Sequence, residues 1–300
     1  MSKHVMVLMG GWSAEREVSL VSGAAVAKAL AEAGYTVTPI DLVRDPGDLL
    51  GRLSPRPDVV FNALHGRWGE DGTIQGLLDL LAIPYTHSGL LASAMAMHKP
   101  TAKLIFERAG IGVAEHVVVG RDALMAGDPL PRPYVIKPLN EGSSVGVKII
   151  RNGDNLRPLN GGWDFGAEVM VERFIPGREF TVAVMGDRPL AVTEITTDRG
   201  FYDYDAKYAP GGSRHVIPAQ VDPAIYQETM DLAVRAHQAL GCRGVSRADL
   251  RWDGERLYML EVNTQPGMTP TSLVPEQAAF AGISFPELVA WMVENAECDQ

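Results

Sequence analysis

Residues Gly244 to Asn263 limit what the rest of the chain can become. Two runs that alternate apolar and polar residues flank an Asp253-Gly254 turn signal, the pattern of a β-hairpin. Strand side chains alternate between two faces, so Arg247, Asp249 and Arg251 share one face of the first strand, and Glu261 and Asn263 share one face of the second. Asp249 lies opposite Glu261 only if the connection holds an odd number of residues, and a three-residue loop of Gly254, Glu255 and Arg256 satisfies this. Two carboxylates and an amide oxygen then converge on one patch, where like charges repel unless a cation sits between them. Hard oxygen donors without His or Cys suit Mg²⁺ or Mn²⁺. The plain alternative is a solvated face on which Asp249 forms a surface ion pair with Arg247 or Arg251.

The hairpin runs into Thr264-Gln-Pro-Gly-Met-Thr-Pro-Thr-Ser-Leu273, whose breakers and small polar residues leave a loop able to aim backbone N–H groups at a ligand. At 300 residues the chain has room for two or three domains, and with 46% hydrophobic and 21% charged residues it has the make-up of a soluble globular protein. No apolar run approaches the roughly 18 to 20 residues that span a bilayer, and Val5 to Met9 is too short for a signal segment, so a cytoplasmic protein with no membrane partner is expected. Cys242 and Cys298 stand far apart in no metal-ligand spacing. A formal charge of −10 argues against a nucleic-acid backbone as partner.

Along the chain, a strand from Val5 to Met9 meets Gly10-Gly-Trp-Ser13. A helix follows, with Ser13 as expected N-cap, Val18, Val21, Ala25, Ala29 and Leu30 on one side, and Gly34 as its stop. Strands over 35–41 and 58–64 complete a parallel-sheet rhythm, and the Gly10-Gly11 turn lacks the dinucleotide spacing G-x-G-x-x-G. Helix physics alone makes Glu15 a first-turn carboxylate that favours the dipole. His65 follows a strand end, where open α/β sheets bind ligands. Residues 90–110 read as one helix with Lys99 and Lys103 on a shared face.

Asn140-Glu-Gly-Ser-Ser-Val-Gly146 joins the strands at 134–137 and 147–151. Its backbone N–H groups, the hydroxyls of Ser143 and Ser144 and the charge of Lys137 could surround phosphate oxygens; a plain flexible hairpin is the alternative. The same loop satisfies G-x-S-x-G, but a nucleophile elbow at Ser144 needs a helix after it, and Val147-Lys-Ile-Ile-Arg is β-branched. The strand Glu168 to Glu172 and the turn Arg173-Phe-Ile-Pro-Gly-Arg-Glu179 could present backbone groups to an adenine edge and Glu179 to ribose hydroxyls, or could merely connect domains. Residues 198–214 are aromatic, aperiodic and long, as a closing lid would be. Asp222-Pro223 opens a helix over Met230, Ala233, Val234, His237 and Leu240, and a last helix runs from Phe285 to Ala296.

Five segments in order, Gly10 to Leu20, Ala63-Leu-His-Gly-Arg67 with Gly69-Glu-Asp-Gly72, Glu141 to Gly146, Phe201 to Tyr208 and Glu261 to Met268, resemble the D-alanine-D-alanine ligases of the ATP-grasp superfamily. The resemblance implies an α/β N-terminal domain (1–95), a small α+β central domain (96–178) and a C-terminal domain with metal site and lid (179–300). It implies ATP as cosubstrate and an acyl-phosphate intermediate between two D-alanines, for peptidoglycan precursor synthesis. Two Mg²⁺ or Mn²⁺ ions on Asp249, Glu261 and Asn263 belong to the same expectation, as does a homodimer; help from a monovalent cation is left open. By the same resemblance Glu15 and His65 face the first substrate, and Lys99, Lys137, Ser144 and Lys207 face ATP phosphates. Glu172, Phe174, Ile175 and Glu179 surround the nucleoside. Arg247 and the Gly267 N–H stabilise an oxyanion, and Ser272 and Leu273 take the second substrate's carboxylate. Ser143 and Tyr208 link to Glu15, and Tyr208 favours an amine over a hydroxyl acceptor. Arg173, Phe174 and Gln265 depart from residues common in the family. A ligase for another D-amino or D-hydroxy acid pair, and a nucleotide-binding regulator without turnover, are the alternatives.

Overall fold

A computed structural model describes residues 2–142, 146–154, 166–197 and 212–299. Among these, three sheets form in chain order. The first holds β1 (His4–Gly10), β2 (Thr36–Leu42) and β3 (Val59–Asn62) in the order β2-β1-β3, all parallel. β1 is central because Val5 to Leu8 are apolar on both faces and fully buried, as a strand covered from both sides must be.

The helix Arg16–Glu32 packs on this sheet, but its inner face is not the one that the apolar residues suggest. Ser19, Ser22, Gly23, Val26, Ala29 and Leu30 are buried, while Val21 faces solvent. Ser19 Oγ accepts from Gly10 N at 2.9 Å and donates to the Ala63 carbonyl at 2.7 Å, so a hydroxyl there costs no unpaired polar group. Ser13 does not cap the helix. Its hydroxyl donates to the His65 carbonyl at 2.6 Å, and Glu15 itself occupies the N-cap position without a capping bond. The last helix, Phe285–Glu294, carries a Ser284–Glu287 capping box and packs against Arg16–Glu32, so Leu288, Val289 and Met292 share a core with Val5, Val26 and Phe61.

The second sheet contains β4 (His116–Gly120), β5 (Tyr134–Pro138), β6 (Lys148–Ile150) and β7 (Glu168–Arg173) in the order β4-β7-β5-β6. β6 follows Gly146 where a nucleophile elbow would need a helix. The single helix expected over 90–110 is two, Leu90–Met97 and Lys99–Arg108. His98 breaks it with an extended backbone because Pro100 cannot donate to the preceding turn, and it restarts the helix by accepting from Thr101 N.

β8 (Arg178–Met185), β9 (Arg188–Thr196), β10 (Arg214–Val216), β11 (Val245–Trp252) and β12 (Leu257–Asn263) form the third sheet, antiparallel, in the order β10-β9-β8-β11-β12. The helices Lys99–Arg108 and Pro223–Ala239 cover one face, burying Phe106, Ala233 and Ala236 against Phe180, Val182 and Leu250; each large side chain buried here contributes about 2 kcal/mol. The hairpin is real, but its loop is not three residues long. Trp252 pairs with Leu257, leaving four residues, 253–256, in the turn, and a β-bulge at Leu260 restores the odd count, so that Asp249 still faces Glu261.

Candidate functional site

Two cavities that share part of their lining meet at the β11–β12 hairpin. The first, about 100 Å³, is lined by Glu15, His65, Glu70, Lys99, Glu141, Gly142, Arg247, Glu261, Asn263, Gly267, Ser272 and Leu273. Glu15 is buried, and two glycine segments close on it: a Cβ on Gly66 would lie 2.6 Å from Glu15 Oε2, and one on Gly142 would lie 3.1 Å from it. Gly66 also has φ +72, which an L side chain rarely adopts. His65 packs beside Glu15 with Nε2 3.0 Å from Ser22 Oγ; burial, reinforced by the nearby Arg247 charge, pushes its pKa down to about 4, so the ring is neutral. Glu70, which sequence reasoning passed over, accepts from Gly66 N. Burial, then the charge of Glu15, raises its pKa to about 8.

On the opposite wall the Arg247 guanidinium forks onto Asp249, with Nε–Oδ1 at 2.9 Å and Nη2–Oδ2 at 2.8 Å, and Thr181 Oγ1 donates to Oδ1 at 2.6 Å. The Arg247–Asp249 ion pair allowed by the plain reading therefore exists, but it is nearly buried and belongs to the cavity rather than to a wet surface. Asn263 Oδ1 accepts from Gln265 N at 2.8 Å and keeps a second lone pair. Asp249, Glu261 and Asn263 thus offer hard oxygen donors on one side of the hairpin, and this donor chemistry fits Mg²⁺ or Mn²⁺. Among the described residues there is no cluster of three or more His, Cys, Asp and Glu side chains suited to a metal, so a site here depends on the Asn263 amide. Ser272 precedes the helix Leu273–Phe280, and its hydroxyl lies 2.8 Å from Thr269 Oγ1, so the helix N-terminus lines the cavity. Its backbone amides and positive dipole end suit a carboxylate.

The second cavity, about 70 Å³, is lined by Lys99, Lys137, Glu141, Glu172, Arg173, Phe174, Ile175, Glu179, Asp249, Arg251, Leu260 and Glu261. Glu172 holds two lysines at once, Lys137 at 2.5 Å and Lys103 in a fully buried ion pair. Burial alone would raise the pKa of Glu172, but the two ammonium groups outweigh it and hold the carboxyl below its usual range. In sequence Lys103 only shares a face with Lys99; its burial depends on Glu172 of β7, far away in the chain. Glu179 pairs with Arg251 at 3.0 Å, and the Arg251 guanidinium lies over the Phe174 ring, 5.4 Å from its centroid. Arg173 turns instead toward Tyr258.

The cavities share Lys99, Glu141 and Glu261 as a common wall, with Lys99 Nζ bonded to the Glu141 carbonyl at 2.5 Å. Of the residues expected from sequence, the structure brings together Glu15, His65, Lys99, Lys137, Glu172, Phe174, Ile175, Glu179, Arg247, Asp249, Glu261, Asn263, Gly267, Ser272 and Leu273 around this pair of cavities. Ser143, Ser144, Lys207 and Tyr208 lie outside the described residues, as does most of the expected lid. His237 is a core residue, its Nδ1 2.7 Å from Ser246 Oγ.

Solved structures share this fold. The D-alanine-D-alanine ligase from Bacillus anthracis superposes with a TM-score of 0.86 at 32% identity, covering 98% of this chain and 97% of that one. The same enzyme complexed with ATP gives 0.84 at 31% identity with the same coverage. The VanG D-Ala:D-Ser ligase from Enterococcus faecalis gives 0.83 at 30% identity, covering 98% and 99%. Fold and paired cavities define an ATP-grasp ligase. The family profile described as D-ala D-ala ligase N-terminus matches residues 4–48 and 50–88, and that described as D-ala D-ala ligase C-terminus matches 105–294. The D-alanine-D-alanine ligase of Rhodospirillum rubrum is 65% identical over 301 residues, spanning 100% of both chains. The chain belongs to the D-alanine-D-alanine ligase family.

Proposed function

We propose that this chain joins two D-alanine molecules at the expense of ATP, releasing ADP and phosphate, and so supplies a dipeptide for peptidoglycan synthesis in the cytoplasm. The observation that supports this reading is the common wall. A nucleotide in the second cavity would point its phosphates toward Lys99 and Lys137, and the carboxylate of an amino acid held by Glu15 would meet them there. Glu172 and Glu179, with Phe174 and Ile175, hold the nucleoside. Asp249, Glu261 and Asn263 would hold two Mg²⁺ or Mn²⁺ ions; bound metal neutralises phosphate charge and orients the transfer.

The first carboxylate takes the γ-phosphoryl group, giving an acyl phosphate, and the amine of the second D-alanine then attacks its carbonyl carbon. Arg247 and the Gly267 N–H face the oxygen that becomes negative, the arrangement in which preorganised donors lower a barrier most. Ser272 and the amide-rich end of Leu273–Phe280 hold the second carboxylate, which places the attacking amine in the same cavity as the first substrate. Tyr208, Ser143, Ser144 and Lys207 complete the site by family resemblance. The active form is a homodimer by the same analogy.

The test is phosphate release from ATP and Mg²⁺ with D-alanine, L-alanine, D-serine, D-lactate or no acceptor, with the product identified by mass. Release that depends on D-alanine and yields the dipeptide mass supports the proposal. Release with D-serine or D-lactate as the preferred second substrate would move the chain to another ligase specificity, and nucleotide binding without release would leave a regulator.

A further inference from the structure

One buried side chain joins the two walls of the first cavity. Gln265, 1% exposed, sits two residues after Asn263 and two before Gly267. Its Oε1 accepts from Asn62 Nδ2 at 2.8 Å, and its Nε2 donates to the Leu64 carbonyl, at the end of β3 and just beyond it. Asn62 Nδ2 also donates to the Gly69 carbonyl at 2.9 Å, and Gln75 Nε2 donates to the same carbonyl at 2.9 Å, so the contact continues into the loop that carries His65 and Glu70. From its own backbone, Gln265 N donates to Asn263 Oδ1 at 2.8 Å. Met268 N donates to Ser22 Oγ at 3.3 Å, a second and weaker tie in the same direction.

We infer that Gln265 is a positioning residue: its carboxamide sets the register between the Glu15–His65 wall and the Asn263–Gly267 wall. This rests on the ligase reading, in which the first wall holds the amino acid and the second holds metal and oxyanion. The chemistry requires one group that accepts and donates at once. A glutamate keeps the shape but turns an acceptor toward the Leu64 carbonyl and buries a charge there. An asparagine keeps both functions but is one methylene too short to meet both partners, and a serine reaches neither.

The experiment compares Gln265→Asn and Gln265→Glu with the unaltered chain by D-alanine-dependent turnover, by affinity for a non-hydrolysable ATP analogue and by amide hydrogen exchange. A misplacement on the scale of 1 Å costs about 10- to 100-fold in rate. The expected result is that drop in kcat in both variants, with analogue affinity within about twofold because the nucleotide cavity does not touch Gln265, and faster exchange in both 62–70 and 264–268. Unaltered kcat would overturn the inference. So would a loss of turnover and nucleotide affinity in equal proportion, the mark of a smaller folded fraction. If the unaltered chain shows no D-alanine-dependent turnover, the ligase reading fails. Exchange then decides by itself: faster exchange in both segments supports the pin, and equal exchange removes it.

Discussion

Asp249 lies directly opposite Glu261 across β11 and β12 even though four residues separate the strands, because Leu260 is an extra residue in β12 that turns Glu261 back to the Asp249 side. The bulge also puts Leu260 into the second cavity while Glu261 reaches both cavities. Bulges recur beside active sites because they re-aim one side chain without moving the sheet.

From this pairing, Glu261→Gln should raise the Mg²⁺ concentration needed for half-maximal turnover by roughly tenfold and lower kcat, while the thermal midpoint stays within about 2 °C. A Mg²⁺ titration of activity checks it, and an unaltered requirement would remove Glu261 from the donor set.

Lys103 is fully buried against Glu172. Lys103→Met leaves Glu172 with Lys137 as its remaining ammonium in that ion-pair cluster and should cost about 3 kcal/mol, at the lower end for breaking a buried pair because one counter-charge survives. Urea unfolding measures it. ATP affinity should fall with it, since a rearranged Glu172 reshapes the nucleoside wall.

Acid should destabilise the protein through histidines buried in the neutral form. Burial lowers the pKa of His65 to about 4, of His87 to about 3 and of His237 to about 4. Between an unfolded value of about 6.5 and those folded values, the unfolded chain binds protons that the folded chain does not, so stability falls as pH falls, by at most about 1.4 kcal/mol per pH unit for each ring. The contribution is absent above about pH 6.5. His237→Gln, which can keep a bond to Ser246, should be less acid-sensitive than the unaltered chain, and parallel urea midpoints at pH 7.5 and 5.5 would rule this out.

Burial, then the charge of Glu15, raises the pKa of Glu70 to about 8, which favours its neutral form at pH 7. A neutral carboxyl and a carboxamide are close in shape, so Glu70→Gln should retain turnover within about threefold at pH 7 and should lose any rate change between pH 7 and 9 that comes from this group. Matching pH–rate profiles with a residual step near pH 8 would assign that step elsewhere.

What the chain determined by itself was local and ordered. Alternation in 244–263, the cap at Asp222, the glycine loops and the order of five motifs required only residues close together in sequence, and they led to the hairpin, the parallel sheet and most of the residues named here that line the two cavities. The tertiary structure decided what depends on distant partners. The parity of the hairpin lies in a bulge, not in the turn. The helix Arg16–Glu32 buries Ser19 because Gly10 N and the Ala63 carbonyl bond its hydroxyl, and Ser22 because the His65 ring and Met268 N bond its own, while Val21 faces solvent. Lys103, Glu70 and Gln265 look like ordinary polar residues until β7, Glu15 and β3 are brought beside them. Burial and electrostatics are sums over neighbours in space, and those neighbours are set only once the sheets close on one another.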